Sequence, residues 1–211
     1  MKFVILIISS YLLGSIPFGL IIAKAHGRDL RSIGSGNIGA TNLSRAVGRK
    51  WAYLCFLLDA AKGLTPMLIA AGFVSLPPTV AELFLALAAG CAAVLGHIFP
   101  IYLKFKGGKG VATSFGVALG FWPYYTICAA AALLIWVVAV LLWRYISLAS
   151  VIASITFPLT LVLLIVLIPR WNFADLWPLL VAAVAIPVMV IIRHSENIKR
   201  LIAGTESKSL T

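Results

Sequence analysis

Phe105 to Thr113 reads FKGGKGVAT, in which Gly107, Gly108 and Gly110 surround Lys109 and lead into an apolar stretch that opens at Val111. Glycines in such a run bare consecutive backbone amides, and Lys109 adds a point charge. A helix starting at Val111 turns its positive dipole end toward the same place. The pattern predicts an oxyanion cradle. It is not a Walker A loop, which needs glycine where Leu103 stands and Ser or Thr where Gly110 stands, so ATP or GTP hydrolysis is not supported.

A second segment has the same chemical content. Ile33 to Asn42 reads IGSGNIGATN and runs on to Arg45, gathering Gly34, Gly36 and Gly39 with Ser35, Asn37, Thr41 and Asn42. Small residues let backbone approach a ligand, hydroxyls and amides give uncharged hydrogen bonds, and Arg45 offers a planar, bidentate positive charge. Tight turns alone are the rival reading of these glycines. Arg193 to Arg200 reads RHSENIKR. If helical pitch continues there, His194 and Asn197 share a face suited to a substrate hydroxyl, and Glu196 pairs with Arg200 at i and i+4. A histidine at a helix C-terminus is also favourable simply through the dipole. The fourth cluster is Arg144 to Ser147, where Ser147 is read as a helix N-cap or a further contact.

The elements that carry these clusters are apolar. Of 211 residues 62% are hydrophobic and only 11% charged, well below the quarter or so typical of soluble domains. The chain therefore reads as an all-α integral membrane protein forming a single domain over 1–211. Runs of roughly 20 apolar residues fall at about 3–24, 53–74, 80–100, 124–143, 147–168 and 175–192. A seventh, 111–122, is short: Val111 to Phe121 rises only about 16 Å before Trp122-Pro123 interrupts it. A seven-transmembrane-helix bundle with one short helix is expected, a five-span arrangement being the alternative. Fourteen Lys and Arg residues fall in loops on one side, against Lys2 and Arg170 on the other, with Lys62 inside a span. The positive-inside rule puts the fourteen in the cytoplasm, the N-terminus outside and the C-terminus inside. The net charge of +11 thus marks a basic membrane face. A nucleic-acid partner is not expected, because there is no basic and aromatic platform. The first apolar run is too long for a signal-peptide core and is read as a retained span.

Asp59 and Lys62 lie three residues apart inside a span, where ionisable groups are costly, and read either as a structural ion pair or as part of a site. Cys55, Cys91 and Cys128 read as small apolar-region residues. Ser10 and Gly14, and Gly116 and Gly120, form small-xxx-small pairs suited to close helix contact. No metal is expected, since no carboxylate and imidazole cluster has ligand spacing.

SGNIGATN with Arg45, GHIFP at Gly96 to Pro100 leading into FKGGKGVAT, RYISLAS at Arg144 to Ser150 and RHSENIKRL at Arg193 to Leu201 together resemble the bacterial acyl-phosphate-dependent glycerol-3-phosphate acyltransferase family. The resemblance runs through the whole chain, in order. It implies transfer of a fatty acyl group from acyl phosphate to the 1-hydroxyl of sn-glycerol 3-phosphate at the cytoplasmic face of the bacterial cell membrane. This is the first acylation of phospholipid synthesis, and a separate enzyme makes the donor. No cofactor is implied, the lipid bilayer is the surrounding partner, and a monomer is expected. Catalytic roles are implied for Ser35, Arg45, Lys109, His194 and Asn197. Substrate contacts are implied for Asn37, Asn42, Gly107, Gly108, Gly110, Thr113, Ser147 and Glu196, with His97 a rival base or orienting group.

The residue inventory suits such chemistry. Acyl phosphate carries a good leaving group, so positioning and charge neutralisation matter more than a strong nucleophile. His26, His97 and His194 are not followed five residues later by Asp, so an HxxxxD signature is missing. The four clusters are expected to meet in one pocket at the cytoplasmic membrane surface. A transporter or channel for a phosphorylated solute is the alternative, although such proteins favour midmembrane sites and repeated halves. A lipid-binding scaffold is a third reading.

Overall fold

The structure, a computed structural model, describes residues 1–75 and 78–208. Among these residues every regular element is helical. The α-helices are α1 Lys2–Gly14, α2 Phe18–Ala25, α3 Ala40–Val47, α4 Arg49–Ala71, α5 Val80–Ile98, α6 Val111–Leu119, α7 Tyr124–Trp143, α8 Ile146–Leu167, α9 Phe173–Ile192 and α10 Ser195–Ile202; a 3-10 turn covers Ile101–Leu103. Six stretches are long and apolar enough to cross a membrane: Lys2–Ala25, Arg49–Ala71, Val80–Leu103, Tyr124–Trp143, Ile146–Leu167 and Phe173–Ile192.

Two departures from the expected spans have local causes. The first apolar run is two helices, because Pro17 has no N–H to donate and its ring clashes with the preceding turn. The ladder stops at Gly14 and restarts at Phe18. The short segment α6 is only nine residues long, ending at Leu119 before Gly120, and is not among the six long spans.

The chain divides into two compact units, one of Met1–Val74 with Leu85–Gly120 and one of Ser75–Phe84 with Phe121–Thr211. In the first unit, small residues bring backbones together. A side chain at Gly116 would collide with the Ala60 carbonyl on α4, one at Gly63 with the Thr113 carbonyl on α6, and one at Gly14 with Ala93 on α5. Close approach of this kind lets apolar helices associate where no hydrophobic force separates protein from lipid. It seats the start of α6 against α4. Ile22, Ala23, Leu30, Ile38, Leu43 and Cys55 form a buried cluster that anchors the segment between α2 and α3 on the helices beneath it.

In the second unit α7, α8 and α9 carry the apolar mass, with Tyr125 buried and its hydroxyl donating to the Leu179 carbonyl at 2.5 Å. Asn172 caps α9 by accepting from the Asp175 amide, which satisfies one orphan donor of the first turn.

Candidate active site

In the first unit the segment before α3 is built around one side chain. Asn42 is 1% exposed; its amide nitrogen donates to the carbonyls of Leu30, Ile33 and Asn37, and its oxygen accepts from the Ser35 amide. A buried amide must find such partners, and these use up both ends of the group. Asn42, expected as a ligand for substrate, is therefore the post around which the loop turns. Asn37 likewise spends its side-chain oxygen on the Gly39 amide. Gly34 sits at φ +54°, and a side chain there would run into Asn42, so the turn requires glycine.

The loop presents Ser35 and Arg45 outward, both exposed. Arg45 folds back over the turn, its Cδ 3.3 Å from where a Gly34 side chain would begin. Among the described residues no carboxylate lies within ion-pair distance of it.

The glycine-rich loop joins this segment directly. Arg31 donates from Nη2 to the Lys106 carbonyl at 3.2 Å, across 75 residues of sequence. Within the loop the expected row of bare amides is corrected: the Gly107 N–H donates to the Ile98 carbonyl at 3.1 Å and the Gly108 N–H to the His97 carbonyl at 3.0 Å. The chain doubles back on the end of α5, and backbone donors pair with the nearest unsatisfied helix-end carbonyls. Gly107 and Gly108 thus shape the loop, and Lys109, half-buried beside Gly110, brings the charge. Gly110 itself takes a left-handed conformation at the start of α6. Thr113 is fully buried in α6.

Behind the loop lies a buried polar cluster. Asp59 Oδ1 forms an ion pair with Lys62 Nζ at 2.9 Å, as the i, i+3 spacing predicts. The same oxygen lies 3.6 Å from His97 Nδ1, which the sequence did not disclose. Lys62 also donates to the Ile16 carbonyl at 2.9 Å, a group made available where Pro17 breaks the helix.

In the second unit four side chains meet. Glu206 Oε1 accepts from Ser147 Oγ at 2.7 Å and from Asn197 Nδ2 at 2.6 Å, while Oε2 accepts from Arg200 Nε at 2.7 Å. Burial pushes the Glu206 carboxyl up, but the hydrogen bonds from Asn197, Ser147 and Arg200 together outweigh it and hold the group below its ordinary value. Two expectations change here. Ser147 is not the cap of α8, a place taken by Tyr145; its hydroxyl goes to Glu206. Arg200 does not pair with Glu196. Glu196 is exposed on α10 and bonded to Lys199 at 2.8 Å, a contact that lowers its carboxyl below the ordinary value.

His194 falls between α9 and α10, since helical pitch is interrupted at Arg193. It is buried, with Nδ1 2.7 Å from the Val190 carbonyl. A carbonyl only accepts, so the neutral ring carries its proton on Nδ1 and its lone pair on Nε2.

Glu206 and the Asp59–His97 contact escaped the sequence reading. Scarcity was the available signal: the chain has only six acidic residues, and one that follows Arg200 by six positions has a cation within reach.

The sequence profile of the family described as Glycerol-3-phosphate acyltransferase matches residues 4–204. Proteins of that description similar to this chain include those of Geotalea daltonii, 46% identical over 97% of this chain and 96% of the relative, and Aquifex aeolicus, 43% identical over 99% and 100%. Among solved structures, the crystal structure of PlsY (YgiH), an integral membrane glycerol 3-phosphate acyltransferase, in its glycerol 3-phosphate form matches with a TM-score of 0.86 and 41% identity, covering 99% of this chain and 96% of that chain. Its lysophosphatidic acid form matches with a TM-score of 0.83 and 40% identity over 99% and 95%.

Proposed function

The chain belongs to the glycerol-3-phosphate acyltransferase family, and from that premise we propose how its own residues carry the reaction. It is an integral membrane acyltransferase that acylates glycerol 3-phosphate to lysophosphatidic acid. The donor is acyl phosphate and the acceptor oxygen is the 1-hydroxyl. That hydroxyl attacks the acyl carbonyl carbon directly, the new ester C–O bond forms, and the carbon–oxygen bond to phosphate breaks. The departing phosphate takes the hydroxyl proton, so no dedicated protein base is needed, and because the attack is direct no acyl-enzyme forms.

Arg45, Ser35 and Lys109 neutralise the anionic oxygens, with Gly107, Gly108 and Gly110 setting the loop that holds Lys109. His194 and Asn197, the latter held by Glu206, orient the acceptor. Ser147 acts with Asn197, while Glu196 and Thr113 contribute from α10 and α6. The observation that carries this reading is the hydrogen bond from Arg31 to the Lys106 carbonyl, which ties the Arg45 loop to the Lys109 loop at one end of the first unit. Two basic, glycine-containing segments side by side suit a substrate pair that brings two phosphates.

The whole chain works as one domain and as a monomer, with seven membrane helices counting short α6, the N-terminus outside and the basic loops in the cytoplasm of a bacterial cell. An enzyme that makes acyl phosphate supplies the donor. Purified protein in liposomes, given acyl phosphate and glycerol 3-phosphate, is expected to release one phosphate per ester formed, with no acyl-protein adduct. Solute uptake without ester would mark a transporter instead.

A further inference from the structure

Asp59 has more partners than an ion pair needs. Oδ1 meets Lys62 Nζ at 2.9 Å and lies 3.6 Å from His97 Nδ1, and Oδ2 accepts from Cys55 Sγ at 3.6 Å. Lys62 is completed by the Ile16 carbonyl, so charge balance in the span is met without His97. The imidazole nevertheless points one edge at the carboxylate and presents the other to the glycine loop. Nε2, Cε1 and Cδ2 of His97 are the atoms nearest to where a Gly108 side chain would stand. The His97 carbonyl also accepts the Gly108 N–H. One residue thus grips Gly108 through its main chain and its ring, and the next residue is Lys109.

We propose that Asp59 is a positioning residue for Lys109, acting through His97. A carboxylate facing Nδ1 keeps the ring proton on that nitrogen and fixes the plane of the ring, as carboxylates do for histidines that must hold one orientation. The fixed ring then sets the path of Gly107 to Gly110. The ion pair with Lys62, at 2.9 Å, holds the carboxylate in place from the other side. This inference rests on the assignment of Lys109 to a substrate phosphate above.

The test is a double-mutant cycle on the purified enzyme in detergent, with kcat, KM for each substrate and the thermal midpoint measured for each variant. Asp59→Asn is expected to lower kcat/KM about tenfold, mainly by raising KM for a phosphate-bearing substrate, and His97→Gln to do the same. The double variant is expected to be no worse than His97→Gln, because both changes cut one chain of contacts. Multiplied losses would overturn the proposal. If Asp59→Asn fails to fold because Lys62 is left unpaired, Asp59→Asn with Lys62→Gln removes the orphan charge and is expected to fold with the same raised KM. Wild-type kcat and KM in that variant would equally overturn the proposal. If the wild-type enzyme makes no ester from acyl phosphate, the assignment of function fails. An active wild type with additive losses defeats only the role given to Asp59.

Discussion

Asn197 donates its side-chain amide to Glu206 at 2.6 Å, so a residue on α10 takes its orientation from a carboxylate on the segment that follows it. Ser147 and Arg200 donate to the same carboxylate. Glu206→Gln keeps the shape but turns one acceptor into a donor facing donors. It is expected to lower kcat/KM about tenfold. Glu206→Ala is expected to lower the unfolding free energy by about 1–3 kcal/mol as well, the range for leaving buried polar groups unpaired. Steady-state kinetics beside thermal unfolding separates the two, and a Glu206→Gln enzyme with native kcat/KM would remove the clamp from the mechanism.

The same carboxylate gives a pH signature. Its value in the folded protein lies below the ordinary 4.5, so the unfolded chain binds the proton more readily. Stability from this group is therefore fully present above about 4.5 and is lost as pH falls through the lower folded value. The thermal midpoint of the wild type is expected to fall in that acid window, and Glu206→Gln to flatten that part of the profile. A mutant whose acid limb matches the wild type would show that other carboxylates govern it.

Asn42 and Arg45 lie three residues apart on α3, yet their substitutions are expected to fail differently. Asn42→Ala strips partners from the Ser35 amide and from three carbonyls, which predicts a stability loss on the order of 3 kcal/mol. Arg45→Ala removes an exposed side chain without a carboxylate partner among the described residues. Its thermal midpoint is expected to stay near wild type, the unfolding free energy changing by less than about 0.5 kcal/mol. Its KM for a phosphate-bearing substrate rises at least tenfold. Arg45→Lys is expected to recover only part of that, since an ammonium lacks the planar fork.

The long apolar runs showed where the helices lie, because burial in lipid demands a continuous hydrophobic stretch whose length is set by the bilayer. Pro17 was visible, but a proline can be absorbed in a span, as Pro66 is in α4, and only the structure shows that the helix breaks. The glycine loop was recognisable by composition. The acceptors of its amides were not, because the partners of Gly107 and Gly108 are carbonyls at the end of α5, fixed by how the chain folds back. Ser147 and Glu206 are 59 residues apart, and no periodicity links such positions. Local rules therefore offered Ser147 only a cap or a further contact with substrate, and not a carboxylate partner. The pair Asp59 and Lys62, three residues apart on one helix, was legible for the opposite reason: pitch alone brings them together.

Gly108 is where packing and chemistry meet most tightly. Its conformation does not demand glycine; the space does, because a side chain there would enter the His97 ring. Gly108→Ala must move either the imidazole away from Asp59 or the loop away from α5, and both displace Lys109. A shift of about 1 Å at a positioned group can cost on the order of 100-fold in rate, and that loss is the expected outcome. Gly108→Ala combined with His97→Ala restores the space without restoring the grip. It is expected to raise the thermal midpoint relative to Gly108→Ala while kcat/KM stays low. If Gly108→Ala alone turned over like the wild type, the loop would tolerate displacement, and the ring contact would be packing without catalytic consequence.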